Sequence, residues 1–155
     1  MSVVNRPAHP PQWFLLITAL ATGAVVMALE ILGSRLLAPV FGNSLFVWGA
    51  LIGVILAAMS SGYAFGGWVS DRYPGAQVLA GLLLFSGGWT FLIAWLGQLV
   101  LFKVAGVIED PRWGPCAAAA LLLGPPAFGL SGVLPALLRL AVSDLEYFGR
   151  HTGRM

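Results

Sequence analysis

The chain has 155 residues, of which 59% are hydrophobic and only 9% charged, and its mean hydropathy is +0.89. A soluble domain carries about 25% charged residues, so this composition excludes a cytosolic globular enzyme, a disordered tail and a nucleic-acid binder. The net charge of +2 rests on few groups, and the pI near 9.1 reflects that counting and no basic patch.

Residues 7–29, 36–70, 73–102 and 113–138 contain no Asp, Glu, Lys or Arg. A membrane-spanning helix needs about 20 apolar residues at about 1.5 Å each, and two spans with a turn need roughly twice that. Each run therefore holds one helix. The runs are apolar on both parities, which excludes the alternation of a membrane β-barrel. The expected fold is an all-α membrane protein, a bundle of four transmembrane helices.

Residues 1–12 form a polar lead whose prolines, Pro7, Pro10 and Pro11, disfavour a helix. Trp13 marks a water–lipid boundary, where its amphipathic ring is favoured. The first helix is predicted over about 13–38 and is read as an uncleaved span, because its apolar run is longer than a typical signal segment. Pro39 and Gly42 end it, and Asn43-Ser44 can cap the second helix, over about 44–70. Asp71-Arg72-Tyr73-Pro74-Gly75 reads as a turn. The third helix covers about 76–107, and Glu109-Asp110-Pro111-Arg112 forms the next polar connection. The fourth covers about 115–142. Pro125, Pro126 and Pro135 each remove a backbone donor, so this helix should be kinked. A polar tail, 143–155, follows.

Four spans place both tails and the 71–75 turn on one side. That side carries Arg6, Arg72, Arg139, Arg150 and Arg154, whereas Arg35, Lys103 and Arg112 fall to the other. The bias favours cytoplasmic termini, and the expected location is a bacterial inner membrane. Small residues are dense. On the second helix Gly49, Gly53 and Ala57, then Gly62 and Gly66, recur four apart, a pattern that lets another backbone come close. The Gly49–Gly53–Ala57 strip is therefore expected to face a neighbouring helix.

Glu30 is the only carboxylate set within an apolar run, and Arg35 follows five positions later. A charge in the hydrocarbon is costly. Positions five apart diverge by about 140° on an ideal helix, so a direct pair is poor. Two roles stay open: an interfacial anchor that snorkels to water, or a carboxylate that binds a cation or a proton, tuned by Arg35. No catalytic constellation, cofactor motif or metal-ligand group is visible. His9 and His151 lie in the tails. The single thiol, Cys116, rules out an intrachain disulfide and reads as a small packing residue.

The string Gly67-x-x-x-Asp71-Arg72 resembles the loop between the second and third helices of major facilitator transporters, although its closing glycine, Gly75, comes one position late and the basic pair after it is missing. Asp71 at that helix end could ion-pair with a neighbouring helix and hold one conformation. A wider pattern joins Glu30, Arg35-Leu36, Ala38-Pro39, Gly42-Asn43-Ser44 and Trp48 to Gly53, Gly62, Gly66-Gly67 and Asp71-Arg72. It continues through Leu134-Pro135, Arg139, Gly149-Arg150 and Gly153-Arg154. This pattern resembles the membrane portion of fused major-facilitator/spermidine-synthase-like proteins. The resemblance implies membrane residence and a link to polyamines or similar cations, with Glu30, Arg35 and Trp48 as candidate ligand contacts and Gly67, Asp71 and Arg72 as a conformational loop. Such proteins continue into further helices and often into a soluble aminopropyltransferase-like domain that uses decarboxylated S-adenosylmethionine. The chain stops before that domain, so no enzymatic activity is expected of it.

Three functions fit these features: a membrane module of this family, an oligomeric half-transporter of the major-facilitator type, and an accessory subunit of a larger membrane complex. The expected partners are lipid, further copies or a larger membrane protein, and a small cationic solute. On a background lacking Cys116, cysteines placed in the 71–75 turn are expected to label from the cytoplasmic face. Labelling from the opposite face alone would reverse the orientation.

Overall fold

A computed structural model describes residues 11–73, 75–108 and 110–152, with 142–152 as backbone only. Most of the polar lead and the last residues of the tail lie outside the described residues. The described chain is helical: α1 (Gln12–Phe41), α2 (Leu45–Arg72), α3 (Ala76–Val107), α4 (Trp113–Leu122) and α5 (Gly124–Thr152). No strand occurs among the described residues. By length and composition α1, α2 and α3 can each cross a membrane, and α4 with α5 forms a fourth candidate span bent by 51°.

Local chemistry sets the boundaries. Pro39 lies inside α1, and the helix runs on to Phe41. It ends at Gly42, where φ is 76°, a left-handed value that suits glycine, and where the Gly42 N–H donates to the Ala38 carbonyl at 2.9 Å. Ser44 caps α2, its hydroxyl accepting from the Val47 N–H. The carboxylate of Asp110 accepts from the Arg112 N–H at 2.8 Å just before α4. Arg112 in turn lies over the Phe46 ring, 5.4 Å from its centroid, tying the start of α4 to the start of α2.

The fourth apolar run is two helices, broken at Leu123. Pro125 and Pro126 follow at once and supply no N–H for the carbonyls of Leu121 and Leu122. At the start of α5 that loss costs little, because first-turn donors have no intrahelical partner. Pro135 stays inside continuous helix.

The bundle is centred on the α4–α5 pair. Ala118, Ala119, Leu122, Leu123, Ala127, Val133, Ala136 and Leu137 are buried, whereas α1, α2 and α3 leave most of their large apolar side chains on the outside. One core joins Leu37, Val47, Leu51, Ile55 and Leu101 to Leu123 and its neighbours. A smaller one joins Leu15 and Leu79 to Val133 and Leu137.

The closest helix contacts are made by glycine. A Cβ added at Gly62 would strike the Phe128 backbone and the Ser131 hydroxyl, and one at Gly66 would strike the Gly132 backbone. Across the bundle, a Cβ at Gly129 would meet Ser86 and Phe85 of α3. Apolar burial drives no association between helices in lipid, so such approach is a main source of cohesion.

The strip Gly49–Gly53–Ala57 departs from expectation. All three residues are exposed, and nothing lies within 4 Å of a Cβ built at Gly49 or Gly53. The reason is phase. The buried stripe of α2 is Val47, Leu51, Ile55, Gly62, Gly66 and Ser70. At about 100° per residue, Gly49 and Gly53 lie roughly 200° from Val47 and Leu51, on the opposite face. Gly62 stays on the buried stripe, because seven residues return it close to the azimuth of Ile55.

Replacing Gly66 by Leu should therefore lower the thermal stability of the purified protein and its folded yield, with an overpacking cost of about 1–3 kcal/mol or more. Gly53→Leu in the isolated chain should leave thermal stability nearly unchanged. Melting curves of the two variants in the same detergent, compared with the unsubstituted chain, check this contrast.

Candidate functional site: a groove carrying Glu30

The turn at 42–44 makes α1 and α2 antiparallel, and α5 runs alongside α2 in the same direction, as the Gly62–Ser131, Gly66–Gly132 and Asp71–Arg139 neighbours require. Because glycine seats α5 so closely on α2, α1 cannot follow both along its whole length. A groove of about 330 Å³ opens between the three helices. From α1 it takes Ala19, Thr22, Val26 and Glu30; α2 adds Leu56, Met59 and Tyr63, and α5 adds Leu130, Ser131 and Leu134.

Glu30 is half-buried in this wall. Since α1 reaches Phe41, Glu30 lies eleven residues from the end of the helix, roughly 16 Å inside. The helix is about 45 Å long against a hydrocarbon core of about 30 Å, and Glu30 lies roughly 25 Å along it from Trp13. Among the described residues it makes no hydrogen bond or ion pair. Carboxylates in the hydrocarbon cost about 2.5–3.5 kcal/mol on insertion scales, and such a cost is offset by a partner, water or a proton.

Three hydroxyl residues share a second level of the groove. Thr22 and Tyr63 are nearly equidistant from the 42–44 turn, and Ser131 packs beside Gly62. This level lies eight α1 residues from Glu30, about 12 Å along the axis. The Thr22 hydroxyl donates to the carbonyls of Thr18 and Ala19, and that of Ser131 to the Phe128 carbonyl at 2.9 Å. Both protons are engaged, so what these hydroxyls have left to offer the groove is acceptor capacity. Val26, Met27, Met59 and Leu130 lie between the two levels. Thr22, Tyr63 and Ser131 went unmarked in the sequence because Thr and Ser within apolar helices commonly bond their own backbone. Only the packing of three helices brings them together.

The other candidate residues lie elsewhere. Arg35 is exposed and makes no pair with Glu30. Trp48 is 42% exposed and lines neither this groove nor a second recess at the start of α2 and α4, formed by Leu45, Phe46, Gly49, Ala50, Arg112, Trp113 and Cys116. At the opposite end of α2, Asp71 pairs with Arg139 of α5 at 3.4 Å. Gly67 lies one turn before it, where an added Cβ would come within 4.0 Å of the Pro135 ring. Arg72 is exposed. The Ser70 hydroxyl on the same helix end is buried without a hydrogen-bond partner. Among the described residues no group of three or more His, Cys, Asp or Glu side chains could hold a metal ion.

Compared with known proteins, the chain matches no family model, no curated protein and no solved structure. Its several long apolar helices are those of an integral membrane protein.

The Asp71–Arg139 pair is half-exposed or more on both sides, so it should contribute at most about 1 kcal/mol. Asp71→Asn is expected to leave the melting temperature within a few degrees of the unsubstituted protein, with a smaller difference at high salt. A large loss of stability would show that the pair is shielded from water.

Proposed function

We propose that the chain is a non-enzymatic membrane module that binds a small organic cation through Glu30. In this reading α1, α2, α3 and the proline-broken α4–α5 pair are four spans, with both ends of the chain in the cytoplasm of a bacterium. The role is akin to that of the membrane portion of fused spermidine-synthase-like proteins, and polyamines belong to the ligand class to be tested. One observation carries the reading: a carboxylate inside a long apolar helix lines a groove and has no partner among the described residues. Asp71 and Arg139 would hold the cytoplasmic ends of α2 and α5 together, as a latch on one side of the groove.

A second reading makes the chain one subunit of a homo-oligomer or of a larger complex. It is favoured by the exposed Gly49–Gly53–Ala57 face, against which no helix packs closely among the described residues. The two readings draw on neighbouring faces of α2, since Leu56 of the groove lies seven residues from Gly49 and returns close to its azimuth.

Glu30→Gln keeps the shape of the side chain and removes its charge. In lipid nanodiscs the variant is expected to elute and melt like the unsubstituted protein. It should bind tetramethylammonium and spermidine at least tenfold more weakly, a loss of about 1.4 kcal/mol or more. Equal binding of both cations by the two proteins would return Glu30 to the role of an anchor.

A further inference from the structure

We infer that the groove selects an amphiphilic monocation, with one ammonium group at Glu30 and an apolar body lying along α1, in preference to a polyamine. The inference rests on the reading of Glu30 as a cation contact and deepens it.

The distribution of polar groups along the groove carries the argument. Its length on α1, from Ala19 to Glu30, is roughly 16 Å. Only one end is charged. Leu56 is level with Glu30, and beyond them the walls are Val26, Met27, Met59 and Leu130. Thr22, Tyr63 and Ser131 follow about 12 Å away, and they are neutral. A polyamine lying here would set one ammonium on Glu30 and its next among the methionines and leucines, with no carboxylate to pair it. Burying an unpaired charge in such surroundings is strongly unfavourable. Neutral hydroxyl acceptors at the far level could solvate a terminal group but would not neutralise it.

An apolar body meets the opposite situation. Met27 and Met59 are unbranched and polarizable, and they adapt to irregular apolar shapes. Tyr63 adds an aromatic side chain to the wall. A single head group then neutralises the only charge in the groove, and the remainder replaces lipid or water against apolar walls. The hydroxyl level leaves room for one neutral hydrogen-bonding group at the end of the body.

The test compares hexyltrimethylammonium, which has a fixed single charge and an alkyl chain, with spermidine and with tetramethylammonium. Binding is measured on the full chain in nanodiscs, for the unsubstituted protein, Glu30→Gln and Met59→Trp. Hexyltrimethylammonium is expected to bind at least tenfold more tightly than spermidine, and Glu30→Gln should remove at least tenfold of that affinity. Met59→Trp keeps the carboxylate and fills the apolar wall. It should weaken hexyltrimethylammonium at least fivefold and leave tetramethylammonium within twofold.

Tighter binding of spermidine, lost in Glu30→Gln, would overturn the monocation assignment and leave the cation reading standing. Hexyltrimethylammonium binding that survives Glu30→Gln would show occupancy by any lipid-like chain and would also overturn the assignment. An unchanged affinity in a folded Met59→Trp variant would show that the body lies outside the groove, with the same consequence. Failure of every cation to respond to Glu30→Gln would overturn both readings together.

Discussion

The contact of α2 with α5 through glycine is the constraint on which the rest of the bundle depends. Gly62 and Gly66 lie directly on the backbone at Phe128 and Gly132, with no room for a methyl group. In water such a seam would supplement a hydrophobic core. In lipid, apolar side chains gain little by turning from solvent to a neighbouring helix, and close packing bears more of the load. Once α5 is seated on α2, Gly129 makes room for the Ser86 and Phe85 side chains of α3. The broken fourth segment becomes the centre, with three long helices around it.

That arrangement also creates the groove. Near the 42–44 turn, α1 packs tightly: Gly33 admits the side chains of Leu51 and Leu123, and Leu37 is fully buried. Farther along, α2 and α5 are drawn together by their own glycines, and the space beside α1 widens. Glu30 stands where the tight region ends. It carries its free-energy cost without an ion pair, because no protein cation reaches this level among the described residues.

The ends of the bundle are held differently. At one end Arg112 stacks on Phe46, linking α4 to α2 through a cation and a ring. At the other, Asp71 and Arg139 link α2 to α5 through an exposed ion pair. Both contacts are weak beside the glycine seam. Their loss would leave the buried core in place.

Charge-free runs of span length, interrupted by Asp71-Arg72 and by Glu109-Asp110, determined by themselves that the chain is helical and that lipid is its solvent, since only a helix satisfies its own backbone there. Glu30 was equally legible, because a lone carboxylate in an apolar run is conspicuous for its cost. Tertiary structure decided which glycines matter. Spacing of four occurs on both faces of α2, and only the position of α5 separates Gly62 and Gly66, which are buried, from Gly49 and Gly53, which are not. It also decided that Glu30 stands beside a groove and apart from Arg35 and Trp48, and that Thr22, Tyr63 and Ser131 share one level. Those relations join residues far apart in the chain through the packing of three helices, and a periodicity read along one helix carries no information about the azimuth of its neighbours.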